Sequence, residues 1–280
     1  MIQIKDLTFG YHPRSTLFQN LNLSLSGGHI YGLLGKNGAG KSTLLKNIVG
    51  LIPPGKGSCE VKGINSSGRP VEVLEDLFFL PEDIFVPSVT VVQFMRSTGL
   101  FYNKFKEDEF YHALKAFDID PNSRLDKLSY GQQKKAMVAF SLATNTSLLI
   151  MDEPTNGLDI PSKAQFRKLV SSALNESRCI IISTHQVRDL ENLIDALIVL
   201  HDHKIILSSS IDAIAERLNF GTPPNSSSTT ILYEEEGIAG KQAIMPNNGS
   251  HYTKIDLELL FNALTNGNTE ILKLLNTVYA

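Results

Sequence analysis

A lysine followed by two hydroxyl residues closes a glycine-rich run, Gly35-Lys36-Asn37-Gly38-Ala39-Gly40-Lys41-Ser42-Thr43. Glycines, lacking a Cβ, let successive backbone N–H groups turn inward around an anion, and the spacing G-x-x-x-x-G-K-[ST] cradles phosphates in that way. Lys41 offers a point charge to the β- and γ-phosphates of a nucleotide, and Ser42 offers an oxygen to Mg²⁺. A helix starting near Lys41 brings its positive end to the same point. A second cluster, Asp152-Glu153-Pro154, puts two carboxylates at the end of an apolar run. In open α/β sheets ligands bind at the carboxyl ends of strands. Asp152 is therefore expected near the cation held by Ser42, and Glu153 near the water that attacks the γ-phosphate. The bland readings are a glycine turn that binds nothing and an Asp-Glu-Pro turn that merely caps a strand. Both motifs in one chain, with a buried strand ahead of the loop and a helix after it, weigh against them.

The elements that must hold these groups follow from hydrophobic patterning. Residues 29–34, 147–151 and 179–183 are continuous apolar runs, which fits strands of a parallel sheet buried on both faces. Residues 41–49 and 160–174 have helical periodicity, giving strand–helix–strand units. The span 87–144 reads as a helical insertion with helices at 90–95, 107–117 and 129–143. Residues 208–210 and 222–230, rich in Ser, Pro and Asn, read as linker. A hairpin over 230–245 and two short helices, 256–264 and 269–278, follow.

On these residues the sequence resembles the ABC ATPase family over about 1–207. The most specific element is Leu128-Ser129-Tyr130-Gly131-Gln132-Gln133, similar to the family signature LSGGQ. The resemblance implies a RecA-like P-loop NTPase α/β core with a mixed sheet, an N-terminal antiparallel β subdomain and an inserted helical subdomain (about 87–144). A linker and a small C-terminal α+β appendage (208–280) would complete the chain. It further implies that Ser129, Gly131 and Gln132 reach the γ-phosphate of ATP held by a second copy, or a related subunit, packed head to tail. Tyr11 resembles the aromatic that stacks on adenine, Asp159 belongs to the loop that communicates across the dimer, and His185 resembles the switch histidine at the γ-phosphate. Glu153, His185 and Lys41 would be catalytic, with Ser42, Asp152 and Glu82 on the metal. Two departures stand out: Tyr130 replaces a glycine of the signature, and Glu82 stands where the family usually has a glutamine that reaches Mg²⁺ and water. Gln93 is an alternative to Glu82, but it lies at what reads as the start of a helix.

Composition limits the partners. A formal net charge of −3 across 280 residues gives no basic excess for nucleic acid. Cys59 and Cys179 are too far apart to form a disulfide or metal framework, which fits a reducing cytosol. No run nears the roughly 18–20 apolar residues that span a bilayer. The resemblance then implies a cytoplasmic ATPase, held at the inner face of the inner membrane by an integral permease and driving transport, more like export than import. Its competitors are a soluble ABC ATPase acting on ribosomes, DNA or metal clusters, and a nucleotide sensor without turnover. The sequence shows neither tandem domains nor a long coiled-coil or zinc insertion, and Glu153 and His185 are intact.

Overall fold

The computed structural model describes residues 1–12, 15–223, 230–237, 240–247, 249 and 253–276. The chain opens with β1 (Ile2–Phe9), β2 (Phe18–Leu25), β3 (His29–Leu34), α1 (Lys41–Ile48), β4 (Lys56–Val61) and β5 (Ile64–Asn65). After α2 (Val71–Leu74) and β6 (Leu77–Leu80) come three helices, α3 (Val91–Thr98), α4 (Glu107–Ala116) and α5 (Tyr130–Ala143). Next are β7 (Leu148–Asp152), α6 (Ile160–Ser172), β8 (Cys179–Thr184), β9 (Ala196–His201) and β10 (Lys204–Ser210). The remainder forms α7 (Ile211–Arg217), β11 (Leu218–Gly221), β12 (Tyr233–Gly237), β13 (Gly240–Pro246), α8 (Leu257–Thr265) and α9 (Thr269–Asn276).

Three sheets result. An antiparallel sheet is ordered β2-β1-β4-β5, the central sheet β10-β9-β3-β8-β7-β6, and a third sheet β11-β13-β12. In the central sheet β9, β3, β8, β7 and β6 run parallel, and β10 returns antiparallel at the edge. This is the mixed-sheet α/β architecture expected from the sequence, with the N-terminal antiparallel sheet, the helices between β6 and β7, and the α+β tail.

Alternate residues of the central strands feed two cores, as the two-residue period of a strand requires. Tyr31, Leu33, Leu148, Ile150, Cys179 and Ile181 join β1, β2 and α1 in one. Ile30, Leu34, Leu149, Met151, Ile180 and Ile182 join the helices and the C-terminal elements in the other. A strand covered on both faces has no polar side, which is why these runs read as unbroken apolar sequence. Burying each such side chain contributes roughly 1.5–3 kcal/mol.

Several expectations need correcting. The serines at 208–210 are not linker: Ser208, Ser209 and Ser210 pair with Ile198, Leu197 and Ala196 as the end of β10, and Ser210 caps α7. Polar side chains are tolerated there because β10 is an edge strand. The strand expected at 147–151 begins at Leu148 and includes Asp152. The hairpin at 230–245 is β12 and β13, joined by β11 into a sheet. Residues 224–229 of the second linker and 277–278 of the last helix lie outside the described residues.

The C-terminal elements rest on the turn Val187–Asp189. Arg188 pairs with Glu258 at 3.1 Å and Lys254 with Glu191 at 3.3 Å, while Val187, Leu190, Leu257 and Leu260 share one core.

Candidate active site

The loop after β3 brings the nucleotide-type residues together. Gly38 (φ 81°) and Gly40 (φ 106°) lie in the left-handed region, where a side chain is strained. At Gly40 an added Cβ would also come within 2.8 Å of the Phe18 ring. Lys41 begins α1 nearly buried, and its ammonium donates to the Gly35 carbonyl at 2.8 Å. The loop is pinned from behind by His203, whose Nδ1 lies 3.0 Å from the Ala39 carbonyl oxygen. A cavity of about 480 Å³ is lined by Tyr11, Asn37, Gly38, Gly40, Lys41, Ser42, Thr43, Glu82, Glu153 and His185, with Leu17. That volume suits a small-molecule ligand.

The acidic pair sits where β7 ends beside β8. Asp152 is buried and accepts a hydrogen bond from the Ser183 hydroxyl. Glu153, also buried, leaves the strand with φ 46°. Its amide donates to the Ser183 carbonyl at 3.0 Å, with the Ser183 hydroxyl at 3.3 Å. Its carboxylate accepts from the Thr184 hydroxyl at 3.0 Å and from His185 Nδ1 at 2.8 Å, with the Lys41 ammonium 3.7 Å away. A carboxylate this buried needs such partners, since an unpaired buried charge is costly. The cluster therefore holds a carboxylate, an imidazole and an ammonium against one cavity.

Tyr11 is over half exposed, its ring edge-on to Phe9 with centroids 5.0 Å apart and its hydroxyl 2.9 Å from Thr43 Oγ1. Ser129, Gly131, Gln132 and Asp159 do not line the cavity. Ser129 and Gln132 form a reciprocal capping box at the start of α5. Asp159 caps α6 by accepting from the Ser162 amide at 2.8 Å, and hydrogen bonds from Ser162 hold its carboxyl below the usual range. Gln93 is likewise the capping-box partner of Thr90, as its helix-start setting implies.

Sequence reasoning gave no role to four contributors. Thr184 and Ser183 carry the acidic pair, and their only signal is a position at the carboxyl end of β8. His203 sits in the tight turn between β9 and β10, with no motif to mark it. Asn156 donates to Glu82 Oε1 at 3.2 Å.

This fold and this site together define a P-loop nucleotide-binding α/β protein. The ABC transporter family profile matches residues 18–156. The lantibiotic transport ATP-binding protein SrtF of Streptococcus pyogenes is 30% identical over 214 residues, 76% of this chain and 92% of its own. The bacitracin transport ATP-binding protein BcrA of Bacillus licheniformis is 29% identical over 221 residues, 78% of this chain and 72% of its own. A Bacillus cereus protein described as an ABC transporter ATP-binding protein is 29% identical over 260 residues, 88% of this chain, which spans only 45% of that relative. Among solved structures, a Pyrococcus furiosus ABC transporter ATP-binding protein has a TM-score of 0.61 at 27% identity, covering 71% of this chain and 96% of its own. A protein described as a cobalt transport ATP-binding protein shares the fold over 95% of this chain and 99% of its own, with a TM-score of 0.69 at 23% identity. The chain belongs to the ABC transporter family, among its ATP-binding ATPase chains.

Proposed function

We propose that two copies of this chain, or this chain and a related ATPase subunit, close head to tail around two Mg-ATP and hydrolyse them to drive a separate membrane-spanning permease. The observation that carries the reading is the Lys41–Glu153–His185 cluster set against the glycine loop. Lys41 would leave the Gly35 carbonyl for the β- and γ-phosphates. Glu153, fixed by Thr184 and His185, would orient the attacking water and take its proton. Ser129, Gly131 and Gln132 at the start of α5, with Asp159, would face the second copy's nucleotide. Tyr11 would lie against adenine.

Asp152 beside Ser183, Ser42 and Glu82 fit a hard cation. Mg²⁺ is commonly held by one or two protein oxygens together with substrate phosphates; among the described residues no group of three or more His, Cys, Asp or Glu is placed to hold a metal. When bound, Mg²⁺ would neutralise charge on the transferred phosphate.

Among the described residues no helix is long and apolar enough to cross a membrane, so the membrane part is assigned to a partner. A second cavity of about 660 Å³, lined by Val71, Leu77, Phe79, Leu100 and Phe101 together with the polar Arg69, Glu75 and Asn103, is a candidate seat for it. A relative named for SkfA peptide export, beside others named for bacitracin and lantibiotic transport, supports export, with the chain at the cytoplasmic face of the inner membrane. The part of the chain after β10, from residue 211 on, is read as an accessory region to the cassette.

Glu153→Gln tests the reading. It should keep ATP binding, lower turnover about a hundredfold or more and accumulate an ATP-bound dimer in size-exclusion chromatography. Hydrolysis at the wild-type rate would remove Glu153 from its role.

A further inference from the structure

The two positions at which this chain departs from the family pattern touch each other. The Tyr130 hydroxyl donates to the Glu82 backbone carbonyl at 2.9 Å, and the Lys134 ammonium donates to the same oxygen at 2.8 Å. A carbonyl oxygen has two lone pairs, and here both are taken by one turn of α5. The other end of Glu82 is held as well, by Asn156 on its carboxylate. Asn156 belongs to the loop that leaves Glu153, and the next residue is packed under Tyr130. Gly157 has φ 81°, and a Cβ there would meet the Tyr130 ring at 3.1 Å; a Cβ on Gly131 would come within 2.8 Å of the Gly157 carbonyl oxygen.

Three segments are thus joined at one residue. Glu82 lines the nucleotide cavity, Tyr130 and Lys134 belong to the helix that carries the signature residues, and Asn156–Gly157 follow the acidic pair. Lys134 is buried, and burial pushes its pKa down, against the nearby carboxylates of Glu82, Asp152 and Glu153. Burial and the Asp83 and Glu82 carboxylates push the Tyr130 phenol up, so it remains a donor. A glycine at 130 could make neither the hydrogen bond nor the packing against Gly157.

We propose that Tyr130, with Lys134, is a positioning residue that ties the Glu82 loop of a chain's own nucleotide site to the signature segment the same chain presents to its twin. A shift of Glu82 toward bound phosphate must then either carry the start of α5 with it or break a hydrogen bond to a buried ammonium. The proposal rests on the head-to-tail reading above and adds a route by which one site informs the other.

The test uses the full chain carrying Glu153→Gln, with and without Tyr130→Phe, which removes only the hydroxyl. The readouts are Mg-ATP affinity at protein concentrations too low to dimerise, and the ATP concentration that half-dimerises the protein. The expected result is monomer affinity within about twofold and a half-dimerisation point about three- to tenfold higher, the scale of one hydrogen bond. In the chain with Glu153 intact, Tyr130→Phe should lower kcat by a similar factor and leave KM nearly unchanged. Asn156→Ala, which frees the opposite end of Glu82, should be non-additive with Tyr130→Phe. An unchanged half-dimerisation point, or strict additivity of the two substitutions, overturns the proposal. Failure of the Glu153→Gln chain to dimerise at all would instead overturn the head-to-tail reading.

Discussion

His185 Nδ1 lies 2.8 Å from Glu153 Oε1. An ionised carboxylate only accepts, so Nδ1 is the donor of this pair; Nε2 of a neutral ring then accepts, as from a water, and donates to a phosphate oxygen only in the imidazolium form. Thr184 holds the other carboxylate oxygen, and the positive φ of Glu153 turns the residue out of the strand. His185→Ala should therefore lower kcat about a hundredfold, because Glu153 loses its orientation, while ATP affinity changes by about threefold or less. Steady-state hydrolysis beside calorimetric titration separates the two; an unchanged kcat would detach His185 from the chemistry.

The Lys41 ammonium lies 3.7 Å from that carboxylate. Lys41→Ala should weaken Mg-ATP binding about tenfold to a hundredfold, the scale of a charge-assisted hydrogen bond. Isothermal titration of the folded variant checks this. Equal affinity for the two proteins would contradict the placement of phosphate at this loop.

Asp76 joins segments far apart in sequence. Burial works against its ionisation, yet hydrogen bonds from Lys62, from the amide and hydroxyl of Ser147 and from Lys104 outweigh it and hold the carboxyl well below the usual range. A carboxyl whose pKa is depressed by folding stabilises the protein above its unfolded value of about 3.9 and ceases to do so as pH falls toward the folded value. Asp76→Asn should cost about 2 kcal/mol at pH 7. Urea titrations at pH 7 and pH 3.5 should show the gap between the two proteins narrowing at the lower pH. A gap that widens with acid would refute the sign.

Cys59 and Cys179 are both free and buried, and burial pushes each thiol up to about 12. A thiol that is neither ionised nor accessible does not attack. The native protein should resist a maleimide at pH 7.5 for hours and take up two equivalents once unfolded in guanidinium, as mass spectrometry would record. Rapid labelling of the folded chain would contradict the packing.

Much of this site was visible in the sequence because its chemistry is local. The glycine loop is nine consecutive residues, the acidic pair is two, and the helix starts at Thr90, Ser129 and Asp256 each announce a cap. What escaped is long-range. β6 has four residues, too short for periodicity to register. Ser208–Ser210 looked like a linker because polar residues on an edge strand share the composition of a loop. Lys134 lies on α5 with no outward sign that it would be wholly buried beneath Glu82. Gln132 is engaged in the helix cap, a use that a motif comparison does not display.

The grip of the tail on Val187–Asp189 has a consequence for anyone shortening the chain. The tail's leucines are the lid over Val187 and Leu190, two residues downstream of His185 and beyond. A fragment ending at Ser210 would bare that greasy floor to solvent and lose the Arg188 and Lys254 tethers. Its expected fate is clumping in the test tube, even though every residue lining the glycine-loop cavity would still be present.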